Sequence, residues 1–532
     1  MWLFVKRVVI SNYRCLDKVD LSLNPKLNII VGNNECGKST LLEAIHLALS
    51  GQLNGRPITG ELHPHLFNAE LVETYIASLR AKTAAPIPEI FIELYFPDDP
   101  ALAAMRGTHN HAHVDATGVA LSITFNRDYT AEYASYIADP DLIRTLPIEY
   151  YQVRWRSFAG HDVTARSIPI KPSFIDASTI RNNVAASRYV IDIMRDSLTR
   201  AEKVDLALSY RQMKDLFLDQ EKVKGVNAAL AAKKGAISDK ALSVALDTSS
   251  RAGWETGVMP HLDAIPLPLV GKGEQNTIKI KLAMEASAES HLIQIEEPEN
   301  HLSFSNLNAL IDHIGEQRAE RQLVITTHSS FVLNKLGMES VILFNRGRNA
   351  TLKDLPAATQ DYFMRLPGHD TLRLILAERT ILVEGPSDEL VVQAAFQRKH
   401  GKPPLAAGVD VISVGSLAFK RFLDIALLIG REVAVVTDND GDLAALAAKY
   451  RDYDGKPSVA IHYDTDVNFR TLEPQLLKAN GRAVIEAVLG KAFADDDALL
   501  TWMKTNKADA ALAFFKTAQP WTTPAYIQAA LG

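Results

Sequence analysis

Two groups of residues in this chain have the types and spacing that nucleotide chemistry requires. The first is the loop Gly32-Asn33-Asn34-Glu35-Cys36-Gly37-Lys38-Ser39-Thr40. Its glycines, Gly32 and Gly37, let the backbone wrap so that several N–H groups point inward at phosphates. Lys38 can reach the β and γ phosphates, and the Ser39 hydroxyl can ligate Mg²⁺. Asn33, Asn34 and Thr40 complete the loop, and the expected ligand is ATP because no NKxD motif stands in a context that specifies guanine. The second group is a set of carboxylates, VEGPSDE from Val383 and TDNDGD from Thr437. Glu384, Asp388 and Glu389 fall at a strand end and the start of a helix, with Glu384 and Asp388 one helical turn apart. Asp438, Asp440 and Asp442 fall at the end of another strand, where alternate residues converge. Clustered carboxylates repel one another unless cations neutralise them. Hard oxygen ligands suit Mg²⁺ or Mn²⁺, and two such ions can activate water and stabilise the leaving oxygen in phosphodiester cleavage.

Further residues accompany the phosphate loop in order. QIEEPENHL places Glu296 where it can hold the Mg²⁺ shell and Glu297 where it can polarise an attacking water. VITTHSS places His328 at a strand end, positioned to sense the γ phosphate or hold that water. DNDGD also looks like part of a calcium loop, but the glutamate such a loop needs falls at Lys449. THNHAHVD spaces His109, His111 and His113 alternately; on a strand they would share a face and could bind a transition metal. The irregular setting, with Asp115 the one carboxylate nearby, favours an exposed loop or hairpin.

These groups need a scaffold. Phe4 to Ile10, Val19 to Leu23 and Leu27 to Val31 read as short strands, and a helix with a largely apolar face begins at Lys38. Between about Ile180 and Leu242 the pattern becomes amphipathic helix, with Ile191, Met194 and Leu198, then Leu206, Tyr210, Met213 and Phe217, three or four apart, as in an insert that mediates association. Strands return at His291 to Ile295 and Gln322 to Thr326. Asn345 to Leu355 reads as a turn or linker, and Pro367-Gly368 marks a break. Strand, acidic loop and helix then repeat, predicting a second parallel sheet. The chain of 532 residues, 47% hydrophobic and 23% charged, is long enough for two or three cores. A net charge of −6 argues against a simple basic DNA coat while permitting a local positive groove. Two cysteines, Cys15 and Cys36, build neither a disulfide framework nor a cysteine zinc site. No apolar run matches a bilayer and the N-terminus lacks a secretory cleavage site, so the expected location is the cytoplasm, with no membrane contact.

The phosphate loop, NYRC around Arg14, EEPEN and the segment VGKGEQNTIKIKLA resemble the ABC-type ATPase heads of SMC and RecF proteins. The resemblance implies a degenerate signature at Gly271, Gly273 and Gln275 that binds ATP from a second subunit, hence a homodimer or larger assembly; Gln152 is the candidate Q-loop glutamine. VEGPSDE and TDNDGD resemble a TOPRIM domain, with Glu384, Asp438 and Asp440 in its catalytic positions. An ABC head followed by TOPRIM resembles the OLD (overcoming lysogenization defect) family, which includes the Gabija nuclease. That likeness implies Glu473 as a further acidic ligand and Lys507 as a cation that stabilises the transition-state phosphate. The expected fold is α/β: an ABC ATPase head formed by residues 1–175 and 251–370, a helical dimerisation insert at 176–250, and a Rossmann-like TOPRIM domain with a helical tail at 371–532. The activity it implies is ATP-controlled, metal-dependent cleavage of DNA in anti-phage defence, alone or with a helicase-like or retron partner. The alternative is a RecF-like or SMC-like repair ATPase without nuclease activity.

Overall fold

The computed structural model describes residues 3–532 except 34, 84, 177–189, 192–193, 196–197, 235–238, 250–252, 287–289, 301, 318–320, 337–339, 346–347, 352–353, 366–368 and 416–417. Asn34, expected to bind nucleotide, and the first residues of the helical insert lie outside the described residues.

Leu27–Val31 is buried along its whole length, as a strand covered on both faces must be. It sits inside a six-stranded sheet ordered Pro172–Asp176, Leu292–Glu296, Gln322–Thr327, Leu27–Val31, Val341–Asn345 and Arg348–Thr351. All neighbours are parallel except the last pair. A second, antiparallel sheet runs Leu16–Ser22, Arg7–Tyr13, Ile90–Tyr95, Ala116–Phe125, with Tyr151–Ser157 also pairing with Ala116–Phe125. Helix Lys38–Ser50 lies between the two sheets. Its Leu41, Leu42, Ala44, Ile45, Leu47, Ala48 and Leu49 share one core with Ile30 and Val324 of the parallel sheet and with Ile10, Ile92 and Val119 of the antiparallel one. Coverage from both sides explains why this helix is apolar around most of its circumference.

The chain continues into a four-stranded parallel sheet ordered Val409–Ser413, Arg379–Val383, Glu432–Val436, Val459–His462. One face packs helix Pro386–His400 and the C-terminal helices Leu472–Asn480, Lys507–Lys516 and Ala525–Ala530. The other face packs helix Phe419–Ile429, and that core is continuous with the outer face of the six-stranded sheet through Leu374, Ile375, Ile29 and Leu343. Fully buried Thr359 ties the two parts together, donating to Asp424 Oδ2 (2.5 Å) and accepting from Arg421 Nη1 (2.9 Å). The expected boundary near residue 370 therefore runs through a shared core.

Several expectations need correction. The first two strands are Arg7–Tyr13 and Leu16–Ser22, because hydrogen bonding in the hairpin, not hydropathy, sets their ends. Within the turn or linker expected at Asn345 to Leu355, Arg348–Thr351 is a strand paired antiparallel with Val341–Asn345, Ile342 opposite Thr351 and Asn345 opposite Arg348. In the insert, helices Arg200–Asp219 and Glu221–Ala231 form, but Lys214 is the one buried residue they contain, and Leu206 and Met213 stand in solvent. The three histidines occupy a loop before Ala116–Phe125, as expected, and Gln152 lies on strand Tyr151–Ser157. Among the described residues no helix is long and apolar enough to cross a membrane.

Candidate nucleotide and metal sites

A cavity of about 870 Å³ opens over the phosphate loop, lined by Arg14, Gly37, Lys38, Ser39, Glu297 and His328 among others. The loop is a close fit. A Cβ at Gly32 would sit 2.1 Å from the Phe344 carbonyl oxygen, and Gly37 adopts a left-handed φ of 98°. Lys38 is buried and donates to the carbonyls of Gly32 (2.8 Å) and Asn33 (2.9 Å). Burial lowers its pKa, against which Cys36 and the acidic residues Glu297, Glu296 and Glu299 act. Thr40 lies 3.4 Å from the Cys15 sulfur.

The parallel sheet delivers the acidic partners. Ser39 Oγ donates to Glu296 at the end of Leu292–Glu296, and burial pushes that carboxyl above its ordinary value. Glu297 follows with a left-handed φ of 44°. Its Oε1 lies 2.5 Å from His328 Nε2 and its Oε2 accepts from Asn300 Nδ2 (3.0 Å). The bond to His328 is the main reason its pKa falls to about 2. Two acidic residues went unread in the sequence. Glu299 accepts from Thr327 Oγ1 and from His328 N, both at 2.7 Å, and so holds the histidine backbone. Its place in EEPEN was the available signal. Asp176 ends Pro172–Asp176 directly in register with Glu296, so both carboxylates lie on the face of the sheet toward Lys38–Ser50. Phe174, two residues earlier on that face, packs on His46 of the same helix. Only strand pairing reveals this neighbour.

The signature residues sit apart from this cavity. Gly271 and Gly273 flank the start of helix Lys272–Ala286. Gln275 is buried, with its Nε2 donating to the Val270 carbonyl (2.7 Å). It braces the loop before the helix.

The second acidic group gathers at the C-terminal edge of the four-stranded sheet. Glu384 Oε1 accepts from Thr437 Oγ1 (2.7 Å) and Asp438 N (3.1 Å), linking the ends of two adjacent strands. Asp388 accepts from Gly385 N (3.1 Å) at the start of Pro386–His400. Burial is the largest influence on Asp438, followed by the charges of Glu384, Asp388, Glu473 and Asp440, and together they push it up to about 8. Burial and the charges of Glu384 and Glu473 push Asp388 up to about 6. Asp440 is exposed in a left-handed turn with φ 49°. Buried Asn439, unread in the sequence, holds that turn by donating to the Asp464 (2.8 Å) and Asp466 (3.0 Å) carbonyls. Glu473 is buried, accepts from Thr471 Oγ1 (3.0 Å) and lies 3.5 Å from Lys507 Nζ. Asp442 caps the next helix through Ala445 N (2.9 Å).

Glu389, expected among the ligands, has a partner of its own. Its carboxylate pairs with Arg373 (3.2 Å), which also grips Asp410 through Nε (3.0 Å) and Nη2 (2.7 Å). One position beyond Asp388, its side chain turns about 100° away around the helix. Among the described residues no three acidic, histidine or cysteine side chains close into a tight metal cage. The cleft is an open bed of carboxylates, the kind that suits an ion retaining water or substrate oxygens.

Comparison with known proteins adds to this geometry. Family profiles match an AAA domain over residues 7–93, an AAA domain described as a putative AbiEii toxin of a type IV TA system over 189–334, and an overcoming lysogenization defect protein-like TOPRIM domain over 375–440. Endonuclease GajA of Bacillus cereus (strain VD045) is 18% identical over 453 residues, covering 81% of this chain and 74% of that protein. An OLD nuclease of Thermus scotoductus is 51% identical over 45 residues, 8% of each chain. RecF of Actinobacillus pleuropneumoniae is 51% identical over 41 residues, of which this chain spans 11% of its length. A solved structure of RecF with ATP covers 66% of this chain and 99% of its own at 12% identity, with a TM-score of 0.34.

Proposed function

We propose that the chain, which joins two AAA-domain matches to an OLD-like TOPRIM match, is a member of the OLD (overcoming lysogenization defect) family and an ATP-binding, divalent-metal-dependent DNA endonuclease. The observation that carries this reading is the meeting of Glu384, Asp388, Asp438, Asp440 and Glu473 in one cleft, with Asp438 held up to about 8. Such crowding is relieved by a hard dication, and the donor set fits Mg²⁺ or Mn²⁺. A metal bound there supplies water activation and stabilises the leaving oxygen of a phosphodiester. Lys507, beside Glu473, presents a cation to the scissile phosphate.

In the head, Lys38 and the loop N–H groups cradle the triphosphate, while Ser39 and Glu296 hold its Mg²⁺. Glu297 takes the proton of the attacking water, with His328 orienting that carboxylate. The assembly is a homodimer in which Gly271 and Gly273 approach the partner's nucleotide. Exposed Leu206, Leu208, Met213 and Leu216 on helix Arg200–Asp219 support contact between copies. ATP gates cleavage, and the setting is defence against phage, alone or with a helicase-like or retron partner.

The test is cleavage of supercoiled plasmid with Mg²⁺ or Mn²⁺, with and without ATP. Wild type should nick or linearise it and Glu384→Ala should not, while Lys38→Ala reads the ATP gate. ATP hydrolysis without cutting in any metal would favour a RecF-like repair ATPase.

A further inference from the structure

The antiparallel sheet has a second face that the ATP site does not use. Strand register puts Lys18, Ser11, Phe91, Ser122 and Arg154 in one row across five strands. In the adjacent row Glu93, Ala120 and Arg156 follow one another. The opposite side of these strands, with Ile10, Ile92 and Leu121, is core. Phe91, at the centre of its row, is 37% exposed in the middle of a sheet.

This face is concave. A pocket of about 540 Å³ has Phe91, Ser122, Arg154 and Arg156 on the sheet side and His109 and His113 on an overhanging loop. That loop is held in place. Glu93, 3% exposed on the pocket floor, accepts from His111 N (2.7 Å), contacts His111 Nδ1 (2.6 Å) and accepts from Tyr95 OH (2.9 Å). Asn110 Nδ2 donates to the Val114 carbonyl (2.7 Å), and His109 N donates to the Phe158 carbonyl (2.9 Å). A buried carboxylate has thus been committed to bracing a histidine loop over an exposed aromatic ring, which pre-organises the pocket for a ligand.

We propose that this face binds an unpaired DNA strand, with a base stacked on Phe91 and adjacent phosphates held by Arg154, Arg156 and the histidine loop; this rests on the reading of the protein as one that acts on DNA. Three features select that ligand. An aromatic ring on a sheet, flanked by hydroxyl and cationic side chains, is the arrangement that stacks single-stranded bases. Duplex bases are stacked on each other and cannot reach a ring at the floor of a pocket, whereas an unpaired base can. Arg154 and Arg156 both stand on Tyr151–Ser157, two strands from Phe91, where they meet the backbone phosphates running to that side of the stacked base; Arg156 also pairs with exposed Asp162 (2.8 Å), a contact that phosphate can replace.

The test uses the full-length protein in EDTA, so that nothing is cut. Fluorescence anisotropy reads binding of a labelled single-stranded oligonucleotide, with the matching duplex and dTMP as competitors. Phe91→Ala should weaken strand binding by about tenfold and Phe91→Trp should restore it, because stacking tolerates any aromatic face. Arg154→Ala with Arg156→Ala should weaken binding and flatten its salt dependence. ATP hydrolysis should be unchanged in all of them, which shows that the head is folded. Wild-type strand affinity in Phe91→Ala overturns the proposal, as does competition by dTMP as effective as by the strand, which would make this a mononucleotide pocket. A protein that never cuts DNA would remove the nuclease reading yet leave this binding result standing; one that cuts while ignoring Phe91 would remove this inference alone.

Discussion

Glu297 and His328 face each other at 2.5 Å across the ends of two neighbouring parallel strands, and a third residue, Glu299, holds the histidine from behind through its backbone N–H. The arrangement keeps the Glu297 carboxylate ionised and aimed into the nucleotide cavity. Glu297→Gln keeps the shape and removes the proposed base. It should lower ATP turnover by about 10²–10⁴-fold while ATP binding persists. Steady-state hydrolysis beside equilibrium binding of a fluorescent ATP analogue separates the two, and loss of binding equal to loss of turnover would remove Glu297 from the base role.

Asp176 beside Glu296 makes a different prediction. If the pair shares the Mg²⁺ of the bound nucleotide, Asp176→Asn should weaken binding of MgATP more than binding of ATP in EDTA. Equal weakening in both conditions would reduce Asp176 to a structural role.

The raised carboxylates predict a pH dependence in the metal-free protein. Asp438 stands at about 8 and Asp388 at about 6, both above the ordinary aspartate value, so the folded state binds more protons than the unfolded chain between those limits. Stability therefore falls as pH rises from about 4 toward about 8. Thermal unfolding in EDTA should show this decline, Asp438→Asn should flatten it, and excess Mg²⁺ or Mn²⁺ should restore stability most at the high-pH end. A flat profile in wild type would contradict the crowding.

Glu389 separates structure from chemistry in the second site. Arg373 joins Glu389 to Asp410, whose side chain is only 10% exposed. Arg373→Ala strands that carboxylate and should cost about 3 kcal/mol. Glu389→Ala should be milder and leave metal-dependent cleavage intact, in contrast to Glu384→Ala. Chemical denaturation and plasmid nicking measure both, and abolished cleavage in folded Glu389→Ala would return it to the ligand set.

The sequence alone was enough to determine the local motifs, because their chemistry is written in consecutive residues. A glycine loop between an apolar strand and a helix has few other uses, and carboxylates following two strand-like runs announce a charged sheet edge. Lys38, Ser39, Glu296, Glu384 and Asp438 could all be named from such short windows. What tertiary structure alone decided were relations between segments far apart in the chain. Asp176 becomes a neighbour of Glu296 only through parallel pairing of strands 120 residues apart. Glu389 gains an ion-pair partner because Arg373, which also holds Asp410, reaches it from another element. Gln275 is held inward by the Val270 carbonyl, a contact its motif does not announce. The alternating histidines gain meaning only when sheet register sets Phe91, Arg154 and Arg156 beneath them. Periodicity reports which face of an element is apolar; which element that face meets depends on loop closure and packing across the whole chain, and no local window of sequence contains that information.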